Sequence, residues 1–298
     1  MPMTTPEQAV HETSIDPSTT VGAVALTVTD TARSRAFYER AIGLVGSEQE
    51  DGTVALGPPG GPVLVELRGD STAPALDRRA TGLFHLAILH PSRRDLAMAL
   101  ARLAEARWPL DGASDHLVSE ALYLSDPDGN GIELYHDRPR EEWRYEEGQL
   151  QMSTLPLNLD SLISAMAGED LAGRPTVAAG TRMGHVHLQV SDLASAERFY
   201  SGVLGFDVVV RGYPGALFVS AGGYHHHIGL NTWHSAGSGP PASGAVGLRS
   251  FEVLLPGPHA LEAVLDRVRD GGLATEPGPD GGALVRDPSG NGVLLRTV

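Results

Sequence analysis

Short apolar runs with strand-like patterning alternate along this chain with helical segments and with turns rich in Gly and Pro. In the first unit, a strand at Val21–Val28 leads to Asp30, a predicted helix N-cap, and the helix ends near Ile42. Further strand-like runs follow at Thr53–Leu56 and Val63–Leu67. We interpret this order as a βαβββ unit.

The same order recurs three more times. The second unit has predicted elements at Phe84–Leu89, a helix from Ser92 to about Arg107, Ala121–Leu124 and Ile132–His136. The third has Val186–Val190, a helix from Asp192, Gly205–Val210, Ala216–Ser220 and His226–Leu230. The fourth has Leu248–Leu255, a helix after Pro258, Ala283–Arg286 and Val293–Thr297. The pattern predicts an α+β protein of four βαβββ modules.

The two halves of the chain carry the same markers, which indicates an internal duplication. The turn Asp126–Gly131 (DPDGNG) matches Asp287–Gly292 (DPSGNG). We therefore expect two domains of two modules each, at residues 20–137 and 181–298. Residues 1–19 are expected to form a polar leader, and residues 138–180 a connector with one short helix within Leu159–Ala167.

The amino-acid composition limits which metal ligands, catalytic groups and partners the protein can have. The 298 residues include no cysteine, which excludes disulfides, thiolate metal ligands and a cysteine nucleophile. The formal charge of −15 argues against nucleic acid and anionic membranes as partners. No apolar run is long enough to cross a membrane and the N-terminus lacks a signal-peptide pattern, so we expect a cytoplasmic protein. Any metal would need His, Asp or Glu ligands.

A register count within the modules locates candidate ligands. Seven residues before the helix caps of the second and third modules lie His85 and His185. The same count in the first and fourth modules gives Ala23 and Ser250. Two modules therefore carry histidine at the position where the other two carry a small residue.

The strands that follow the repeated turns differ in the same way. Glu133 follows the first turn, and the matching residue after the second turn is Leu294. In the first and fourth modules only Glu66 lies nearby on a strand, so we expect no metal site there.

The residues His85, Glu133 and His185 form the candidate metal site. Two imidazoles and one carboxylate on one face of a metal leave other positions open, an arrangement that suits non-haem Fe(II) with substrate and O2. His187 shares a strand face with His185, because side chains alternate along a strand, and it is the rival ligand.

Several stretches resemble one known superfamily. They are Phe84-His85, Gly184-His185-x-x-Leu188, the segment from Asp126 to Glu133, Ser119–Asp126 and Gly222–Asn231. They look like the vicinal oxygen chelate superfamily, which includes glyoxalases, bleomycin resistance proteins and extradiol dioxygenases. Within it, the chain is most similar to the extradiol ring-cleaving dioxygenases of the Bacillus catechol 2,3-dioxygenase type, from about residue 20 to the C-terminus.

The resemblance implies a fold and a ligand set. Four modules would form two half-barrel pairs, and Fe(II) would be held by His85, Glu133 and His185. The second and third modules would pair around the metal, whereas the third and fourth do so in the best-known members.

The resemblance also implies catalytic residues and a reaction. The family's catalytic histidine lies in a His pair on the last strand of the third module, where His227 fits best. A family tyrosine and histidine correspond to Tyr123 and, with a shorter spacing, His116. The expected reaction is extradiol cleavage of catechol or a substituted catechol by O2.

Other functions and properties stay open at this point. A glyoxalase-type isomerase of the same fold would use four ligands, and His227 and Ile228 stand in the fourth corner where that class has Glu. A non-enzymatic protein that sequesters a small molecule would lack the intact triad. The sequence leaves open the ring substituents, the choice between Fe(II) and Mn(II), and whether the chain forms a homo-oligomer.

Overall fold

The computed structural model describes residues 14–146, 149–167 and 176–298. Residues 1–13 of the predicted leader and residues 147–148 and 168–175 of the predicted connector lie outside this part. Within it, no helix is both long and apolar enough to span a membrane.

The strands follow the predicted modules. The first module has β1 (Thr20–Val28), β2 (Val45–Glu48), β3 (Val54–Gly57) and β4 (Val65–Gly69), and the second has β5 (Gly82–Leu89), β6 (Gly112–Asp115), β7 (Ser119–Ser125) and β8 (Gly131–Asp137). The connector contains β9 (Tyr145–Glu146), β10 (Gln149–Leu150) and β11 (Leu155–Pro156). The third module has β12 (Arg182–Gln189), β13 (Asp207–Val210), β14 (Ala216–Ser220) and β15 (Ile228–Asn231), and the fourth has β16 (Gly247–Leu255), β17 (Thr275–Pro277), β18 (Ala283–Arg286) and β19 (Gly292–Thr297).

Each module has one helix, and the connector has another. They are α1 (Thr31–Phe37), α2 (Arg93–Glu105), α3 (Leu159–Ser164) in the connector, α4 (Leu193–Glu197) and α5 (Pro258–Asp270). Helices α1 and α4 continue into π-helical turns at Tyr38–Ile42 and Arg198–Val203, and single 3-10 turns lie at Arg140–Glu142 and Pro279–Gly281. The predicted N-caps are confirmed, since the side chains of Asp30, Ser92 and Asp192 each accept a hydrogen bond from a backbone N–H in the first helical turn.

Two mixed sheets organise the modules. The eight-stranded sheet, in the order β17-β18-β19-β16-β1-β4-β3-β2, joins the fourth module to the first. The nine-stranded sheet, in the order β11-β6-β7-β8-β5-β12-β15-β14-β13, joins the second module to the third, as the resemblance implied. Each sheet therefore takes one module from each predicted domain, and the domain boundaries stay predictions.

The repeated turns have a structural role in both halves. The Asp126 carboxylate accepts hydrogen bonds from the backbone of Asp128 and from the backbone and side chain of Asn130. Asp287 makes the same bonds in the second copy, and the hydroxyls of Tyr38 and Tyr200 bond to the two aspartates. The turns thus fix the start of the strand that follows each of them.

The core lies between the two sheets. Val24, Leu26 and Val28 of β1 belong to the same buried cluster as Val186 and Leu188 of β12. Because side chains alternate along a strand, His185 and His187 project from the opposite face of β12, away from this core. That face of the nine-stranded sheet carries the candidate site.

Candidate active site

The three predicted ligands lie on three neighbouring strands. In the register of the sheet, Ala87 on β5 is paired with Glu133 on β8 on one side and with His185 on β12 on the other. His85 lies two residues before Ala87 and projects from the same face. The short side chain of Ala87 leaves space between the three longer ones.

The ligand atoms converge. Glu133 Oε2 lies 2.9 Å from His85 Nε2 and 3.0 Å from His185 Nε2, and all three side chains are buried. Two ligand atoms each about 2.1 Å from one ion and at right angles to each other would lie about 3.0 Å apart. Despite its closeness to Glu133, His85 Nε2 has no properly angled hydrogen bond among the described residues, which fits an atom placed to bind a metal.

The protonation states also suit a metal. Burial lowers the pKa of His185 to about 4, so its imidazole is neutral near pH 7. Burial by itself would raise the pKa of Glu133, but its interactions with His185 and His85 outweigh burial and hold that pKa well below its ordinary value. A carboxylate and neutral imidazoles are the forms that coordinate a metal ion.

His187 lies beside this group and outside it. The ligand atoms that approach within 4.8 Å of one another, among the described residues, belong to His85, Glu133 and His185. The ring of His187 is buried and packs over Gly229 on β15, where a Cβ would come 2.9 Å from the ring.

The position of Gly229 decides whether the site has a fourth protein ligand. His187 pairs with Gly229 in the same parallel register in which Ala87 pairs with Glu133. The fourth corner is therefore Gly229, and not His227 or Ile228 as expected from the sequence. Glycine supplies no ligand, and the ring of His187 fills the space above it.

A cavity of about 270 Å3 lies against His85 and Glu133. Its apolar wall is formed mainly by aromatic side chains, and its polar wall by His116, Tyr123, His187 and His226. The apolar members include Phe84, Met152, Phe218 and Trp233. Ligand pockets commonly measure about 300–1,000 Å3, so this cavity fits a small, single-ring molecule.

Tyr123 and His116 form a directed pair in this cavity. Tyr123 on β7 is the cross-strand partner of Glu133, and its hydroxyl lies 2.6 Å from His116 Nε2. His116 Nδ1 lies 2.7 Å from the carbonyl oxygen of Ser153, which only accepts, so neutral His116 carries its proton on Nδ1 and accepts from Tyr123. Burial and the charge of Glu133 raise the pKa of Tyr123 well above its ordinary value, which keeps the phenol protonated.

The structure does not bring His227 to this cavity, and its expected placement is wrong. His227 Nδ1 accepts a hydrogen bond from the backbone N–H of Ala221 at 3.1 Å, and the side chain lines a different cavity. His226 lines the site instead, with its ring centroid 4.1 Å from that of His185. Strand β15 begins at Ile228, later than predicted, and neighbouring residues of an extended segment face opposite sides.

Two further residues behind His226 were not predicted from the sequence. His225 Nδ1 lies 2.8 Å from His226 Nδ1, and His225 Nε2 lies 2.9 Å from the carboxylate of Asp137 at the end of β8. The run His225-His226-His227 was the sequence signal for this cluster, but nothing in the sequence pointed to Asp137.

Comparisons with known proteins identify the family of the chain. The family model described as Glyoxalase/Bleomycin resistance protein/Dioxygenase superfamily matches residues 20–134 and 182–295. The chain belongs to this superfamily. The vicinal oxygen chelate fold expected from the resemblance is thereby confirmed.

Relatives within and around the superfamily extend the match. A protein named catechol-2,3-dioxygenase, from Bacillus subtilis (strain 168), is 44% identical over 280 residues, which cover 93% of this chain and 96% of that protein. Glyoxalase I from Zea mays shares the fold with a TM-score of 0.56 and 16% identity, over 93% of this chain and 92% of that one. The cppA protein from Streptococcus pneumoniae has a TM-score of 0.58 and 11% identity, over 94% of this chain and 100% of that one.

The chain is therefore an extradiol dioxygenase-like enzyme of the superfamily, with a candidate metal centre between its second and third modules. The sheet formed by its first and fourth modules differs. Glu66 pairs with Ala25 in the register that places Glu133 beside Ala87, but Ala23 and Ser250 stand where the other sheet has histidine. No second cluster of metal-type ligands occurs in the described ranges.

Proposed function

We propose that this chain is an Fe(II)-dependent dioxygenase that opens the ring of catechol, or of a substituted catechol, beside the diol. The observation that carries the proposal is the convergence of His85, Glu133 and His185 at a small cavity with an aromatic wall. The named activity of the 44% identical Bacillus subtilis protein supports the same reaction.

His85, Glu133 and His185 would hold the metal. Bound Fe(II) would supply Lewis acidity to the catechol oxygens and a site at which O2 meets the ring. The described residues offer three ligands from one side, so the positions toward the cavity are left for substrate.

The side chains of the cavity would bind and deprotonate the diol. His226 faces the cavity beside His185 and is the general base that takes a proton from a catechol hydroxyl. Burial, together with the neighbouring histidines, lowers the pKa of His226 well below its ordinary value, so the ring enters the reaction neutral. Tyr123, whose hydroxyl proton is donated to His116, would accept a hydrogen bond from a catechol hydroxyl.

The aromatic wall would orient the ring. Phe84 and Trp233 lie with ring centroids 5.2 Å apart. The ring centroid of Phe218 on β14 lies 5.7 Å from that of His187 and 5.0 Å from that of His226. Such a wall excludes water and accepts the flat face of one aromatic ring.

The rival functions fit the site less well. A four-ligand isomerase would need a carboxylate where Gly229 lies beneath the ring of His187. A sequestering protein would have no use for three converged, buried ligands. The cytoplasmic location and the oligomeric state stay predictions.

Anaerobic loading with Fe(II), metal analysis and addition of catechol and air test the proposal. We expect iron near one per chain and a yellow semialdehyde product. If the protein binds iron but does not turn over catechols, it catalyses a different reaction of the superfamily. A protein that binds no metal would overturn the triad and favour the sequestering function.

A further inference from the structure

A buried chain of hydrogen bonds leads from β8 to His226. Asp137 Oδ1 lies 2.9 Å from His225 Nε2, and His225 Nδ1 lies 2.8 Å from His226 Nδ1. On its other side, Asp137 accepts from the hydroxyl of Tyr224 at 2.9 Å, and that hydroxyl lies 2.7 Å from the hydroxyl of Tyr135. His225 is fully buried and His226 almost so.

The donor and acceptor properties of these groups determine which atom donates in each of these hydrogen bonds. An ionised carboxylate only accepts, so Asp137 requires the proton of His225 to be on Nε2. Neutral His225 then accepts at Nδ1, and the partner atom, His226 Nδ1, must carry a proton to donate to it. The second nitrogen of His226, Nε2, is left with its lone pair.

The lone pair of His226 Nε2 is available to a molecule bound in the active-site cavity. His226 lines the cavity beside the proposed ligands, and the side-chain hydrogen bond that its ring makes among the described residues is the one from Nδ1 to His225. The opposite tautomer would set two lone pairs face to face between His225 and His226. In a buried site such a mismatch is costly, because no water is available to satisfy the unpaired groups.

We infer that Asp137 and His225 are positioning residues that fix the tautomer of His226 and present its unprotonated Nε2 to the substrate. The inference rests on the proposed role of His226 as base. Asp137 also ties this assignment to the metal centre, because it ends the strand that carries Glu133. A carboxylate that holds a catalytic imidazole in one tautomer acts in the same way in serine hydrolases.

The tautomer can be measured without turnover. In the Zn2+-loaded, diamagnetic wild-type protein, 15N NMR should show His226 protonated at Nδ1 and bare at Nε2. A His226 proton on Nε2 in the wild type would overturn the inference, including the case in which a doubly protonated His225 donates to His226. This readout does not depend on any variant that fails to fold.

Asp137→Leu removes the acceptor while keeping a side chain of similar size. His225 should then move its proton to Nδ1 and donate to His226, so the proton of His226 moves to Nε2. In the Fe(II) enzyme we expect kcat for catechol to fall about 100-fold or more while KM changes less than about threefold, since general bases contribute about 10²–10⁴-fold.

Tyr224→Phe is the matched control. It removes a hydrogen bond to the same carboxylate but leaves Asp137 as the acceptor for His225, so the wild-type tautomer should persist and kcat should stay within about threefold of the wild-type value. If Asp137→Leu keeps both tautomer and kcat, the inference is wrong although the proposed function stands. If the wild type does not turn over catechols, the proposed function fails. The NMR result then still shows which nitrogen of His226 carries the proton.

Discussion

Single residues of the same type have different roles in this site, and their neighbours in the sheet decide which. His185 and His187 share one face of β12, yet His185 lies beside Glu133 while His187 lies over Gly229. The register of β12 against β5 and β15 therefore separates the proposed ligand His185 from His187 in the cavity wall.

His185→Ala should abolish iron binding and activity together, because it removes one of three ligands. The measurement is iron per chain after anaerobic loading with Fe(II). His187→Ala is the control and should keep iron near the wild-type level. If His187→Ala lost iron and His185→Ala kept it, His187 would be the ligand and His185 the wall residue.

His226→Ala should keep iron and lower kcat about 100-fold or more, because it removes the base but no ligand. His227→Ala should stay close to the wild-type kcat, since its ring faces another cavity. Steady-state kinetics on catechol compares the two variants. If kcat fell strongly in His227→Ala alone, the base would be His227, as expected from the sequence.

The residue-scale errors of the sequence analysis have one cause. Counting from helix caps pointed to His85 and His185, which the structure brings together with Glu133, because strand and cap are joined by a short segment of constant length. His226 and His227 precede a strand whose start the sequence does not define, and a one-residue error exchanges the two faces. Asp137 was missed because its partners, Tyr224 and His225, are distant in the chain.

Among the elements, the longer strands and the capped helices could be predicted, and three short strands at or near the sheet edges could not. β2, β6 and β17 are three or four residues long, and their polar or glycine-containing sequences give little periodic signal. They form because neighbouring strands offer them hydrogen bonds. β6 nevertheless contributes to the proposed site, since its turn into β7 carries His116, which contacts the hydroxyl of Tyr123.

Gly229→Ala should damage the site through β15. The added Cβ would come 2.9 Å from the His187 ring, which must shift. We expect a loss of about 1–3 kcal/mol in the free energy of unfolding, as for other overpacked interiors, and a raised KM for catechol. Denaturant unfolding and kinetics measure the two effects.

Gly112→Ala on β6 is the control for that variant, because its added Cβ would meet no atom within 4 Å. It should leave stability and KM near wild-type values. An unchanged Gly229→Ala protein would contradict the packing of His187 that excludes a fourth ligand.

At the scale of the whole molecule, the pairing of modules two and three brings the three proposed ligands together. The βαβββ repeat could be derived from the sequence, but the pairing could be inferred only through the resemblance. Contacts between strands as distant in the chain as β1 and β16 leave no local pattern. The buried histidines are a second property of the whole molecule.

Acid should destabilise the metal-free protein. Burial lowers the pKa of His185 to about 4 and the pKa values of His90 and His227 to about 3, from ordinary values of 6.5. Between those limits the unfolded chain binds more protons, so the free energy of unfolding falls as the pH drops from about 6.5 toward 4, by at most about 1.4 kcal/mol per pH unit for each histidine.

Urea unfolding of the metal-free protein at several pH values measures this dependence. His90 lies outside the active-site cavity, and neither of its ring nitrogens has a hydrogen-bond partner among the described residues. His90→Leu should therefore reduce the slope without changing the site. A stability that does not vary between pH 6.5 and 4.5 would show that these histidines are not buried in their neutral forms.

The most direct test of the central claim is the identity of the product formed from catechol and O2 by the Fe(II)-loaded protein. Mass spectrometry and NMR after turnover in 18O2 should show a semialdehyde opened beside the diol, with oxygen from O2 incorporated. A dicarboxylic acid opened between the two hydroxyls, or unreacted catechol in a protein that holds its iron, would contradict the account.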